Sequence, residues 1–167
     1  DANQVQSWST SGFAQKATVG RLTAIRSGNF GASMDIYRNG AGNGLVVGAP
    51  RQAIGVDGDE AGAVFLLDGL GGGWDGELDN SFASTKIYGS VGEHLGSNVW
   101  GCDDLDQDGL SDILLQAEWG SSGGSLSGTL YFFPSQLYGT ESLSSDQLTI
   151  LDLSRLRVGD HAAQGAQ

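Results

Sequence analysis

Cysteine, proline and basic residues are scarce in this chain, and each shortage removes a class of protein. A single cysteine, Cys102, cannot close an internal disulfide, so a small stapled scaffold is excluded, and its presence is neutral on redox compartment. Two prolines among 167 residues exclude collagen and proline-rich linkers. Only 8 Lys plus Arg stand against 20 Asp plus Glu, and the formal net charge of −12 repels nucleic-acid phosphates and anionic lipid. Cations are the complementary partners. No apolar run reaches the roughly 18 residues of a spanning helix, so membrane insertion is not expected. The opening DANQVQSWSTSG has neither a basic head nor an apolar stretch, as in an already processed or truncated start.

What is present is glycine, 28 residues of it, and 39% hydrophobic residues, enough for one core without staples. The chain also repeats. Phe30–Gly31 is answered by Leu95–Gly96, the block Leu45–Ala49 by Ile113–Ala117, and Gly62–Leu67 by Gly128–Phe133, in the same order. A third start follows, because VGEHLG at Val91–Gly96 is echoed by VGDHAA at Val158–Ala163. The period of about 65 residues exceeds a helical solenoid repeat and approaches a four-stranded propeller blade. The expected organisation is an extension over 1–13, a first repeat over 14–82, a second over 83–145 and the start of a third over 146–167.

The apolar runs GLVVGAP, GAVFLLDG, DILLQA and GTLYFFP are short, β-branched or aromatic, and bounded by Gly, Ser, Asp or Pro. They read as strands, and their continuous hydrophobicity predicts cover on both faces. Brief helical pieces are expected only at Ser135–Tyr138 and Ser144–Leu148. The fold class is all-β.

The sharpest chemical signal is DLDQDGLSD, Asp104 to Asp112. Asp104, Asp106, Asp108 and Asp112 carry carboxylates at alternating and closing positions, with Gly109 for the tight turn and the carbonyl of Leu110 as a backbone donor. Hard oxygen donors at this spacing wrap one Ca2+. An EF-hand would need an acidic residue at the twelfth position and a helix, but Leu115 stands there and a strand follows, so the loop is expected inside a β-hairpin. Asp103 precedes the frame as a flanking residue. Asp57, Asp59 and Glu60 offer a weaker set without the later ligands, and a solvated turn is expected.

These residues resemble the FG-GAP repeat family, the repeat of integrin α-subunit propellers and of many bacterial secreted proteins. Phe30–Gly31 and Gly48–Ala49–Pro50 match the two name-giving elements, and Leu95–Gly96 with the acidic loop marks the second repeat; the resemblance covers about residues 20–134 and weakly 146–163. It implies β-propeller-type blades, a calcium loop between two strands, an extracellular or cell-surface location, and adhesion or ligand recognition. Partners would be a protein or glycan ligand, or copies of the chain itself. The first repeat departs from the pattern, since IYRNGAGNG sets Ile36, Arg38, Gly40 and Gly44 where the second has its aspartates, and Gln116–Ala117–Glu118 replaces Gly-Ala-Pro in the second. A seven-bladed ring needs far more chain than this, so the propeller is incomplete unless a longer parent or oligomerisation completes it. A structural subunit joined through open blade edges, and a carbohydrate-binding lectin-like module, are the alternatives.

His94 and His161 occupy matching positions and read as a repeated structural feature. Trp8, Trp74 and Trp119 sit in Gly- and Ser-rich segments expected to be exposed, while Trp100 is expected in the core and Cys102 as a small buried hydrophobe. No His-rich zinc pattern, phosphate-cradling loop with Lys, or nucleophile elbow between strand and helix is found, so an enzyme is not expected.

Overall fold

The computed structural model describes residues 21–23, 28–40, 42–55, 59–68, 77–121, 128–140 and 142–151. Eleven strands are found there: β1 Arg21–Thr23, β2 Ser33–Asn39, β3 Gly42–Ala49, β4 Ala63–Leu67, β5 Glu77–Asp79, β6 Thr85–Tyr88, β7 Leu95–Gly101, β8 Ile113–Ala117, β9 Thr129–Phe133, β10 Leu143–Ser144 and β11 Thr149–Ile150. The only helical pieces among the described residues are 3-10 turns, and two of them, Ser135–Leu137 and Ser145–Gln147, fall where brief helices were expected. The architecture is all-β.

The strands form two main sheets, neither of them closed. The first has the order β10-β6-β4-β3-β2 and the second β11-β9-β8-β7, while β1 and β5 make a small parallel pair. Within each main sheet four strands run antiparallel in succession, and only β10 joins parallel, against β6. Sequence repeat and sheet are offset by one strand. The strand that opens the second repeat, β6, bonds to β4 in the first sheet, and β11 bonds to β9 in the second.

Alternation along the strands divides the first sheet's side chains between two clusters. Val46, Val64, Leu66 and Ile87 point to one side, where they pack with Val99, Ile113, Leu115 and Phe133 of the second sheet. Ala49, Ala63 and Phe65 point to the other, with Phe30, Ala83 and Tyr88 against them. Full burial of each large aliphatic or aromatic side chain stabilises by about 1.5–3 kcal/mol, so the cluster between the sheets is the main source of stability. Tyr37 and Tyr138 pack together there at 4.9 Å between ring centroids. Burial first, then the hydrogen bond to Asp68, pushes the Tyr37 phenol above its ordinary range.

The sheets touch backbone to backbone. A Cβ on Gly48 would lie 2.1 Å from the carbonyl oxygen of Gly96, and Ser33 Oγ donates to that same oxygen at 2.9 Å. Gly62 bridges Leu95 in parallel, and Gly101 N–H donates to Asp35 Oδ2 at 3.0 Å. These contacts seat β7 on β2 and β3, and they give Gly48 of the Gly-Ala-Pro element a steric reason.

Three expectations change. Trp100 is 41% exposed rather than core, because alternation in β7 turns Val99 inward and Trp100 outward. Cover on both faces holds for β4, which is buried throughout, but β8 and β9 alternate between buried and half-buried positions. The first-repeat stretch Ile36–Gly44, which departs from the calcium-loop pattern, lies in a β-hairpin: Ile36 pairs with Leu45 and Tyr37 with Gly44, and β2 turns into β3 at Gly40. Cys102 is half-buried, and burial pushes its thiol up. Trp8, Trp74, Asp57 and His161 lie outside the described residues, as does the third-repeat echo Val158–Ala163.

Candidate metal centre

The acidic loop joins β7 to β8, two antiparallel strands in register from Gly101–Ile113 to Asn98–Gln116. The hairpin setting is the one its sequence predicts. Two residues inside the loop, Gln107 and Gly109, take positive φ of 66° and 93°, which winds the backbone tightly enough to turn alternate side chains inward. Asp104, Asp106 and Asp108 each bring a carboxylate oxygen within 4.8 Å of the others.

Backbone amides hold these carboxylates in place. Asp104 accepts from Asp108 N–H at 2.9 Å through one oxygen and from Gly109 N–H at 2.7 Å through the other. Asp108 accepts from Leu110 N–H at 2.9 Å. Leu110 itself is half-buried at the closing side of the loop. A second segment, the turn after β9, reaches in from outside the motif. Gln136 Nε2 donates to Asp106 at 2.8 Å and to Asp108 at 2.9 Å, and Ser135 Oγ donates to Asp108. Nothing in the spacing of the sequence marks Ser135 or Gln136, because only strand pairing of β8 with β9 brings them to the loop.

Asp112 stands apart from the three. It is fully buried, and its carboxylate accepts from Leu105 N–H at 2.7 Å, Asp106 N–H at 3.2 Å and Ser135 N–H at 3.2 Å. It therefore pins both the start of the loop and the neighbouring turn. Of the acidic ligands expected from sequence, three are assembled at one point and the fourth is the staple beneath them.

The donor chemistry fits a hard divalent cation. Carboxylate oxygens suit Ca2+, Mg2+ or Mn2+ and disfavour thiolate-seeking ions. At an effective dielectric of 20, two like charges 4 Å apart repel by about 4 kcal/mol, less where water screens them, and a divalent ion reverses the sign. Asp106 and Asp108 are exposed, so an ion can enter from solvent. Asp103, also exposed, flanks the cluster without joining it.

The second acidic stretch is built otherwise than expected. Asp59 is buried rather than solvated, and its carboxylate gathers the N–H groups of Ile54, Gly55 and Ala61. Desolvation works to raise its pKa, but the bonds from Gly55, Ala61 and Ile54 outweigh it and hold the carboxyl below the usual range. Glu60 instead meets His94 Nε2 at 3.0 Å. His94 is 3% exposed and stacks on Trp119 at 3.9 Å, while Trp119 itself is 46% exposed. Next to it, buried Glu93 accepts from Ser90 N–H, Ser145 Oγ and Tyr131 OH. The Glu-His pair is thus a polar clasp between segments.

No family model matches the chain, and no curated protein matches it.

Proposed function

We propose that the chain is a calcium-binding module of FG-GAP type, exported or displayed at a cell surface, that serves adhesion, ligand recognition or assembly. Asp104, Asp106 and Asp108 supply the side-chain ligands, the Leu110 carbonyl a backbone ligand, and Asp112 closes or braces the loop. The observation that carries the reading is the meeting of three carboxylates within 4.8 Å in a loop between antiparallel strands. The succession of two similar antiparallel sheets agrees with a repeat that adds one sheet at a time. Bound Ca2+ would cancel the repulsion within the loop and tie β7, β8 and the turn after β9 together.

A site of about 10⁻⁴ M, in the range of extracellular modules, is mostly filled at about 1 mM Ca2+ and stabilises by about 1.4 kcal/mol. For a chain of this size that is a rise of about 3–6 °C in Tm over the EDTA value. An unchanged Tm would count against the metal reading. Assembly through copies of the chain is a second reading. Met34 and Ile36 along β2, at one edge of the first sheet, are 50% and 62% exposed. A molar mass in solution above that of one chain supports it.

A further inference from the structure

The two main sheets repeat each other row by row. In the first, Val46 lies opposite Asp35 on one side and Leu66 on the other, and Leu66 lies opposite Thr85. In the second, Leu114 lies opposite Trp100 and Phe132, and Phe132 lies opposite Thr149. Val64 beside Ile87 is matched in the same way by Leu130 beside Leu151, whose N–H donates to the Leu130 carbonyl. Strand register and sequence repeat thus assign the same counterparts.

Those counterparts differ in burial. Val46, Val64, Leu66 and Ile87 are 0% exposed, because the second sheet covers them. Leu114, Leu130, Phe132 and Leu151 are equally apolar, yet each is only partly buried, and Trp100 beside Leu114 is exposed. Alternation puts Ile113, Leu115 and Phe133 toward the first sheet and leaves Leu114 and Phe132 on the far side of the second. A repeat unit that cannot bury its apolar face alone is completed by stacking the next unit on it.

On the first sheet the strand that arrives first is β7, led over from β6 by residues 89–94 and seated on β2 and β3. In the second sheet β11 holds the position of β6. Beyond it the sequence repeats the same lead, VGDHAA at 158–163 answering VGEHLG at 91–96. Ala162 and Ala166 then stand for Leu95 and Val99, the two buried side chains of β7. Residues 162–167 carry no charged side chain, and neither do Asn98, Trp100, Leu114 and Gln116, although the net charge is −12. A second copy offers no open face of the required kind. The first-sheet residues that correspond to the covering set, Val47, Phe65 and Leu67, are already buried.

We propose that residues 162–167 form a strand seated on the far side of the second sheet, over Trp100 and Leu114, as β7 is seated on the first. Ala163 and Gln116 stand where Gly96 and Gly48 meet, so the backbones stay further apart and side chains make the seat. This face is then the point at which a further unit of the repeat is added. The proposal involves none of the loop aspartates and does not rest on the metal reading.

The test is NMR of the isotope-labelled full chain, recorded in EDTA so that no ion contributes. Nuclear Overhauser contacts are expected from the methyl groups of Ala162 and Ala166 to β7 and β8, those of Trp100 and Leu114 among them. Amide exchange over 162–167 should be at least about tenfold slower than in an unstructured chain. Ala166→Glu should abolish both effects while the rest of the spectrum is kept, because it sets a charge against an apolar face. Exchange at the unstructured rate with no such contacts would overturn the proposal. So would contacts and protection undiminished in Ala166→Glu. Contacts found only between labelled and unlabelled chains in a mixed sample would show that a second copy covers the face, and would overturn it too.

Discussion

Replacing Asp112 by Asn separates what the loop needs for folding from what it needs for an ion. Asn keeps the shape and one carbonyl oxygen but loses the charge. In its better orientation the retained oxygen faces Leu105 N–H and Asp106 N–H, at 2.7 and 3.2 Å in the parent, and the new NH2 group faces Ser135 N–H. One charge-assisted bond is lost outright, at about 1.5–3 kcal/mol, and two are weakened. Relief of repulsion with the three neighbouring aspartates returns part of this, leaving a net loss of about 2 kcal/mol. The corresponding fall in Tm is about 4–8 °C, measured by circular dichroism in EDTA so that no ion contributes. Asp106→Asn is the matched control. Asp106 is exposed and pins no buried amide, so its EDTA Tm should stay within about 0.5 kcal/mol of the parent while its gain from Ca2+ falls. An unchanged EDTA Tm for Asp112→Asn, or equal losses for the two variants, would refute the division of roles.

Gly48→Ala tests the contact between the sheets. Its Cβ would fall 2.1 Å from Gly96 O and 2.3 Å from Ser33 Oγ, so a loss of about 3 kcal/mol or more is expected in chemical denaturation, and a loss below about 1 kcal/mol would contradict the packing. Asp59 gives a pH dependence of known sign. Its carboxyl is held down in the folded chain, so its contribution is complete above the unfolded value of about 3.9 and is lost as pH falls through the lower folded value. The difference in stability between the parent and Asp59→Asn should therefore be larger at neutral pH than at acid pH, in denaturant titrations at both.

Much of this fold could be read from residue patterns, and the failures have physical causes. Runs such as GAVFLL and GTLYFF are short, apolar and bounded by turn residues, and both became strands, β4 and β9. The acidic loop was legible because its ligand spacing is local, and it fell between β7 and β8 as expected. Trp100 was misplaced because hydrophobicity alone does not fix which face of a strand a residue takes; pairing with Leu114, next to inward Val99, does. Asp59 was misjudged because a carboxylate that collects backbone amides looks, in sequence, like one that faces water. Ser135 and Gln136 reach the loop only through strand pairing, and no local pattern announces them.

Isothermal titration of the full chain with CaCl2, after exhaustive EDTA treatment and dialysis, addresses the metal centre most directly. One ion per chain at sub-millimolar affinity, lost in the Asp106→Asn and Asp108→Asn proteins and kept in Asp59→Asn, is the predicted result. Absence of any saturable heat, or a stoichiometry untouched by both loop substitutions, would contradict it.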